Sequence, residues 1–345
     1  MCLAVNRYEQ ERVAFSDTIE VGLVVKNPKS RRVEHVVAYF NRPEVKEAAA
    51  PTYRRNRGFN PGLELQLPRG RVPMPKATGR GNAMLISLPV KKGTKIGPDM
   101  LIAVKDYEHF MEDYQNAVAP PVPKSPLRRG GDLSFSRSAD GPIVVKGFDN
   151  GLYDVVIARD ASEIPSVLAQ VDDAKRPQLQ MDLFRDVDAA HDYEMVHFLF
   201  CFAEEDSGKA GCVAIRYTPA NPKKIFLPAL DGHNGKIERG EVELNHTLVL
   251  GSYKMRDGVG NRVFFRDFAG DAYRLRSMRS AERPYWMLDR VIGAVLPKGM
   301  RVPQGDFEFD VADVERGVFN GVRRVPSGWA KLPEYKNAAT VYITN

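Results

Sequence analysis

The apolar residues of this chain come in short bursts. VVAYF, MLISLPV, LYDVVIA and MVHFLFCF each stop after about five to eight residues, and Gly, Pro, Asn and Asp separate them. Runs of that length suit a strand crossing a packed sheet. They fall short of the roughly 20 apolar residues that span a bilayer, so no transmembrane helix is expected.

Read this way, the enrichment in Val, Ile, Phe and Tyr predicts strands at 2–5, 19–25, 33–40, 83–90, 142–148, 152–158, 195–202, 212–217, 225–230, 247–251 and 262–265. Helical spacing is rarer. Tyr107, Phe110, Met111 and Tyr114 share a stripe over 106–117, Ser162 is placed to cap a helix with Pro165 in its first turn, and Leu179, Leu183, Phe184 and Val187 align over 177–190. The expectation is an α+β fold, strand-rich, with mainly antiparallel or mixed sheets and a few short helices.

A chain of 345 residues is long enough for about two domains. The stretch APPVPKSPLRRGG at 119–131 has the composition of a polyproline-biased linker, which divides the chain into an α+β domain at 1–118, a linker at 119–140 and a strand-rich α+β domain at 141–345. The linker contains a PxxPxR pattern, Pro123 to Arg128, of the kind SH3 domains accept; such patterns are also common in plain linkers. LIAVKDYEHFMEDYQNA and VVIARDASEIPSVLAQV both run from an apolar strand through a basic and an acidic residue into a helix, as a duplication would, though ordinary strand-to-helix grammar gives the same pattern.

Charge is distributed unevenly. The chain has 50 Lys and Arg against 44 Asp and Glu. Residues 51–82, PTYRRNRGFNPGLELQLPRGRVPMPKATGRGN, hold Arg54, Arg55, Arg57, Arg69, Arg71, Lys76 and Arg80 against Glu64, a surplus of +6 that equals the net charge of the whole chain. Five prolines and five glycines make continuous regular structure improbable there, although Leu63, Leu65 and Leu67 alternate as in one short strand. Guanidinium forks suit phosphate and carboxylate, and Tyr53 and Phe59 are placed to stack on bases. The expected partners are a protein subunit or nucleic acid, with homo-oligomerisation compatible with either; a solvated loop is the plain alternative.

Two enzymatic alternatives stand beside that reading. Removal of Met1 would expose Cys2, whose own α-amino group can serve as base for its thiol, as in N-terminal-nucleophile amide hydrolases. A free thiol in a first strand is the structural alternative. The second candidate is a metal site built from His191, His233 and His246 with Asp192 and Asp231, but no HExxH or other metal-specific spacing occurs, and turn or core histidines explain the same residues. Asp231 and His233 also suit an acid-base pair on a hairpin turn. His197 and Cys201 sit about 13 Å apart along one strand, too far for a single ion.

No P-loop or dinucleotide fingerprint is present, so no cofactor is expected. Three cysteines, Cys2, Cys201 and Cys212, are too few and scattered for a disulfide framework. With no basic lead and apolar core at the N-terminus, the sequence predicts a cytoplasmic or nuclear, non-secreted protein without membrane association.

Overall fold

The computed structural model describes residues 13–45, 81–107, 109–119, 141–177, 181–206, 211–232, 237, 239–266, 283–297, 299–329 and 341–344. In chain order the strands are β1 (Val13–Lys26), β2 (Val33–Val45), β3 (Asn82–Pro89), β4 (Leu101–Ile102), β5 (Ile143–Phe148), β6 (Tyr153–Ala158), β7 (Met195–Phe202), β8 (Cys212–Tyr217) and β9 (Lys224–Leu227). They continue with β10 (Glu241–Leu244), β11 (His246–Ser252), β12 (Asn261–Arg262), β13 (Arg290–Val295), β14 (Met300–Pro303), β15 (Asp306–Asp310), β16 (Asn320–Arg324) and β17 (Val341–Thr344). The helices are α1 (Phe110–Val118), α2 (Ile164–Val167), α3 (Met181–Ala190) and α4 (Val311–Glu315).

The α+β, strand-rich expectation holds. One sheet runs β12-β13-β11-β1-β2-β8-β4; two four-stranded sheets run β17-β16-β15-β9 and β3-β7-β6-β5; β10 and β14 form a ribbon. Every pairing of named strands is antiparallel except β1 with β11, which lie parallel from Thr18↔His246 to Val24↔Ser252. Both the seven-stranded sheet and the β3-β7-β6-β5 sheet combine strands from before and after residues 119–140, so that stretch joins strands of shared sheets.

Alternation in β1 and β2 explains the layering. Ile19, Val21, Leu23 and Val25 on β1, with Val36 and Ala38 on β2, turn to a core closed by Phe110, Met111 and Tyr114 of α1 and by Trp286. Their neighbours of opposite parity, Val24, Val37 and Tyr39, enter the central core between the sheets with Ile225, Leu227, Phe307 and Phe309. A Cβ on Gly22 would stand 2.5 Å from Ile225 Cγ2 and 2.9 Å from Leu227 Cδ2, so the facing sheet approaches β1 as closely as it does because this residue has no side chain. A third core lies between β3, β6 and β7 on one side and Leu183, Phe184, Val187 and Ala190 of α3 on the other.

Local boundaries differ from expectation in instructive ways. Ser162 is not the cap of the second helical segment. Asp160 caps it, its Oδ1 accepting from Ser162 N at 2.8 Å. The α-helix expected over 106–117 starts at Phe110, and the one expected over 177–190 starts at Met181. Strands β10 and β13–β17 were not expected at all, whereas β4 falls in the LIAV run read as a strand leading into the first helix. β16 reads NGVRR and its inward side chain is a cation: Arg323 is 2% exposed, lies with its guanidinium carbon 4.7 Å from the Phe307 ring centre, and donates to Pro303 O at 2.8 Å and Ala229 O at 3.2 Å.

Candidate functional site

Cys2, His233 and the seven cations Arg54, Arg55, Arg57, Arg69, Arg71, Lys76 and Arg80 lie outside the described residues, as do the PxxPxR pattern and the strand expected at 2–5. What is described is the ground on which the basic segment is rooted. β2 ends at Val45 in the seven-stranded sheet, and the chain re-enters at Gly81, next to β3 at the edge of a different sheet.

Gly81 is held tightly. Its N–H donates to Arg176 O at 3.0 Å, it bridges Pro177, and a Cβ there would overlap the Lys175 backbone. Arg176 in turn donates from Nε to Leu168 O at 2.8 Å and from Nη2 to Ala169 O at 3.1 Å and Val171 O at 2.9 Å. One guanidinium thus ties the orphan carbonyls of the preceding helical turns to the strand that receives the segment.

Among the described residues, several cations face carboxylates of their own chain. Arg159 meets Glu194, Lys175 meets Asp154 at 3.2 Å, Lys224 meets Asp310 at 3.0 Å, Arg290 meets Asp257 at 2.9 Å and Arg324 meets Glu308 at 2.9 Å. Arg266 is held by both Glu112 and Asp113 at 2.6 Å. Outside residues 51–82 the chain has 43 Lys and Arg and 43 Asp and Glu, so the remainder carries no net surplus of either sign.

The histidines proposed for a metal go separate ways. His191 Nε2 lies 3.3 Å from Asp306 Oδ2 and stacks beside Tyr193, whereas His246 Nε2 lies 3.2 Å from Glu20 Oε1. Among the described residues no group of three His, Cys, Asp or Glu is arranged to hold a metal ion. Burial raises the Cys201 and Cys212 thiols above the ordinary range, which makes both poor nucleophiles at neutral pH.

One constellation escaped sequence reasoning. Ser87 on β3 and His197 on β7 are directly paired, with Ser87 Oγ 2.8 Å from His197 Nδ1; on the other side of the ring, Nε2 lies 3.4 Å from Asp188 Oδ1 on α3. The residue types are those of a hydrolase triad, but Ser87 and His197 are 2% and 1% exposed in mid-strand, out of reach of a substrate. Burial pushes the imidazole down to about 3, so it is neutral at physiological pH. Burial, with a hydrogen bond from Asp160, raises the Asp188 carboxyl to about 6. Nothing in the spacing of Ser87, Asp188 and His197 along the chain announces that they meet; the register of β3 with β7 pairs Ser87 with His197, and the placement of α3 adds Asp188.

No protein-family model matches this chain. No curated protein matches it either. Among solved structures, the 3.1 Å crystal structure of a mutated baculovirus P35 after caspase cleavage is similar at 10% identity and a TM-score of 0.32, over 68% of this chain and 66% of that one. The 2.7 Å structure of a mutated baculovirus P35 after caspase cleavage is similar at 12% identity and a TM-score of 0.31, over 68% of this chain and 65% of that one. The match thus spans just under two thirds of those chains' own length, and a structural overlap this low carries no argument about what the present chain does.

Proposed function

We propose that this chain is a non-enzymatic binding or assembly protein that uses residues 51–82 to engage an acidic partner, either the surface of a protein subunit or nucleic acid. The observation that carries the reading is charge segregation: a balance of 43 against 43 over the rest of the chain, and seven cations against one acid in these 32 residues. Surface cations that face carboxylates of their own chain add little net attraction for an outside anion. A surplus concentrated in one segment is what counterion release can exploit.

Gly81 and β3 fix the C-terminal end of the segment to a sheet, and β2 ends at Val45, with residues 46–50 between it and the segment's start, which supports a role in presentation to a partner. Tyr53 and Phe59 supply ring faces beside Arg54, Arg55 and Arg57, a combination suited to single-stranded nucleic acid. The two enzymatic readings, Cys2 as an N-terminal nucleophile and a metal held by His191, His233 and His246, have no described arrangement in their favour.

The test is charge reversal. Arg54→Glu, Arg55→Glu and Arg57→Glu together are expected to abolish binding to a single-stranded oligonucleotide or to an acidic protein column while leaving the melting profile unchanged. A protein lacking residues 51–80 that keeps every binding activity and oligomeric state of the full chain contradicts the reading.

A further inference from the structure

We propose that Asp160 and Asp188 form a proton-sharing latch that fastens α3 to the turn after β6, closed while the pair holds one proton and loosened when that proton leaves. The geometry is convergence on a single amide. Ser162 N lies 2.8 Å from Asp160 Oδ1 and 3.0 Å from Asp188 Oδ2, so two carboxyl groups from different elements share one backbone donor. Ala161 N donates at 2.8 Å to the other oxygen of Asp188, so the two carboxyl groups converge on the same short turn. A carboxyl–carboxylate hydrogen bond needs one proton between the partners; with none, two negative charges are pressed together.

No other neighbour neutralises the pair among the described residues. Arg159, beside Asp160, is committed to Glu194 and the Thr94 carbonyl. On α3, Arg185 pairs with Asp182 at 2.8 Å, while Asp186 adds a further acid, as does Glu163 on the turn itself. From β7, His197 faces Asp188 at 3.4 Å, with Ser87 of β3 on its far nitrogen; burial and the nearby His191 keep its imidazole neutral. Neutralisation therefore falls to a proton. Consistent with this, the Asp188 carboxyl is raised to about 6, and Asp160 is lowered, chiefly by its hydrogen bond to Asp188.

The consequence is a pH-dependent hold on a whole layer. α3 covers the third core with Leu183, Phe184, Val187 and Ala190, and Gly328 N is bonded to Ala190 O behind it. The closed form keeps its proton up to about pH 6, whereas an opened Asp188 releases it near the ordinary 3.8, so closure is favoured at low pH and lost as pH rises through about 6. This inference is independent of what residues 51–82 bind.

Hydrogen exchange on the full-length chain at pH 5 and pH 8, corrected for the intrinsic pH dependence of exchange, tests it. Local opening at the Ala161 and Ser162 amides and along α3 is expected to increase about tenfold from pH 5 to pH 8. Asp188→Asn, which keeps an acceptor for Ala161 and offers a permanent donor to Asp160, is expected to remove that dependence. Unchanged protection in the unmodified protein, or the same dependence in Asp188→Asn, overturns the proposal. Should that variant fail to fold, carboxyl carbon chemical shifts of the unmodified protein decide: a midpoint near 6 at Asp188 supports the latch, and one near 4 overturns it.

Discussion

Glu20 and His246 meet inside the protein, Oε1 of one 3.2 Å from Nε2 of the other, where parallel strands β1 and β11 run side by side. Glu20 is fully buried, and among the described residues no hydrogen bond serves either of its oxygens. The imidazole is therefore the only group set against this carboxylate among the described contacts, and its other face is covered edge-on by Phe307 of the opposite sheet.

Removing one partner should be costly. His246→Ala leaves a buried carboxylate alone and is expected to destabilise the fold by about 3–5 kcal/mol, read as a lowered urea midpoint with an unchanged slope. Replacing both residues with apolar side chains of similar volume is expected to recover most of that loss. A single His246→Ala change costing under about 1 kcal/mol contradicts this view of the pair.

Acid sensitivity should come from two histidines. Burial holds His197 near 3 and His35 near 4, below the ordinary 6.5. The unfolded chain takes up these protons first, so their contribution is fully present above pH 6.5 and is lost as pH falls toward 3–4. The loss at pH 4 is about 3 kcal/mol for each. Denaturant titrations at pH 7 and pH 4 check this, with His35→Phe expected to flatten the acid limb.

His35→Phe should also raise stability at pH 7. Among the described residues, both ring nitrogens of His35 and the Tyr217 hydroxyl are buried without a hydrogen-bond partner, in side chains that meet edge-to-face across β2 and β8. Tyr217→Phe removes one orphan hydroxyl and is expected to gain about 1 kcal/mol, measured by thermal or urea unfolding.

Gly81→Ala places a methyl group inside the Lys175 backbone, which has no flexible end to move. A cost of about 1–3 kcal/mol is expected, together with loss of the Gly81–Arg176 hydrogen bond. Amide exchange at Gly81 reports that loss directly.

The strand-rich fold was legible because β1, β2, β3, β6, β7 and β8 are uninterrupted or alternating apolar runs whose period can be read locally. β15 and β16 were not, since DFEFD and NGVRR look like surface loops until Arg323 is seen stacked on Phe307. Pairing is a long-range property as well. Composition marks 119–140 as a linker, but it cannot reveal that β1 lies beside β11 or β3 beside β7. The same limit hid the Ser87–His197–Asp188 line, whose members lie on three separate elements, whereas the charge asymmetry of 51–82 needs no structure to be counted.

The salt dependence of binding tests the central claim most directly. Affinity of the full chain for a single-stranded oligonucleotide or an acidic protein surface, measured at 50 and 200 mM salt, is predicted to fall by about a thousandfold if most of the seven cations contact phosphates, and the fall should vanish in the chain lacking residues 51–80. Affinity that is insensitive to salt, or a salt slope that survives the deletion, would contradict the account.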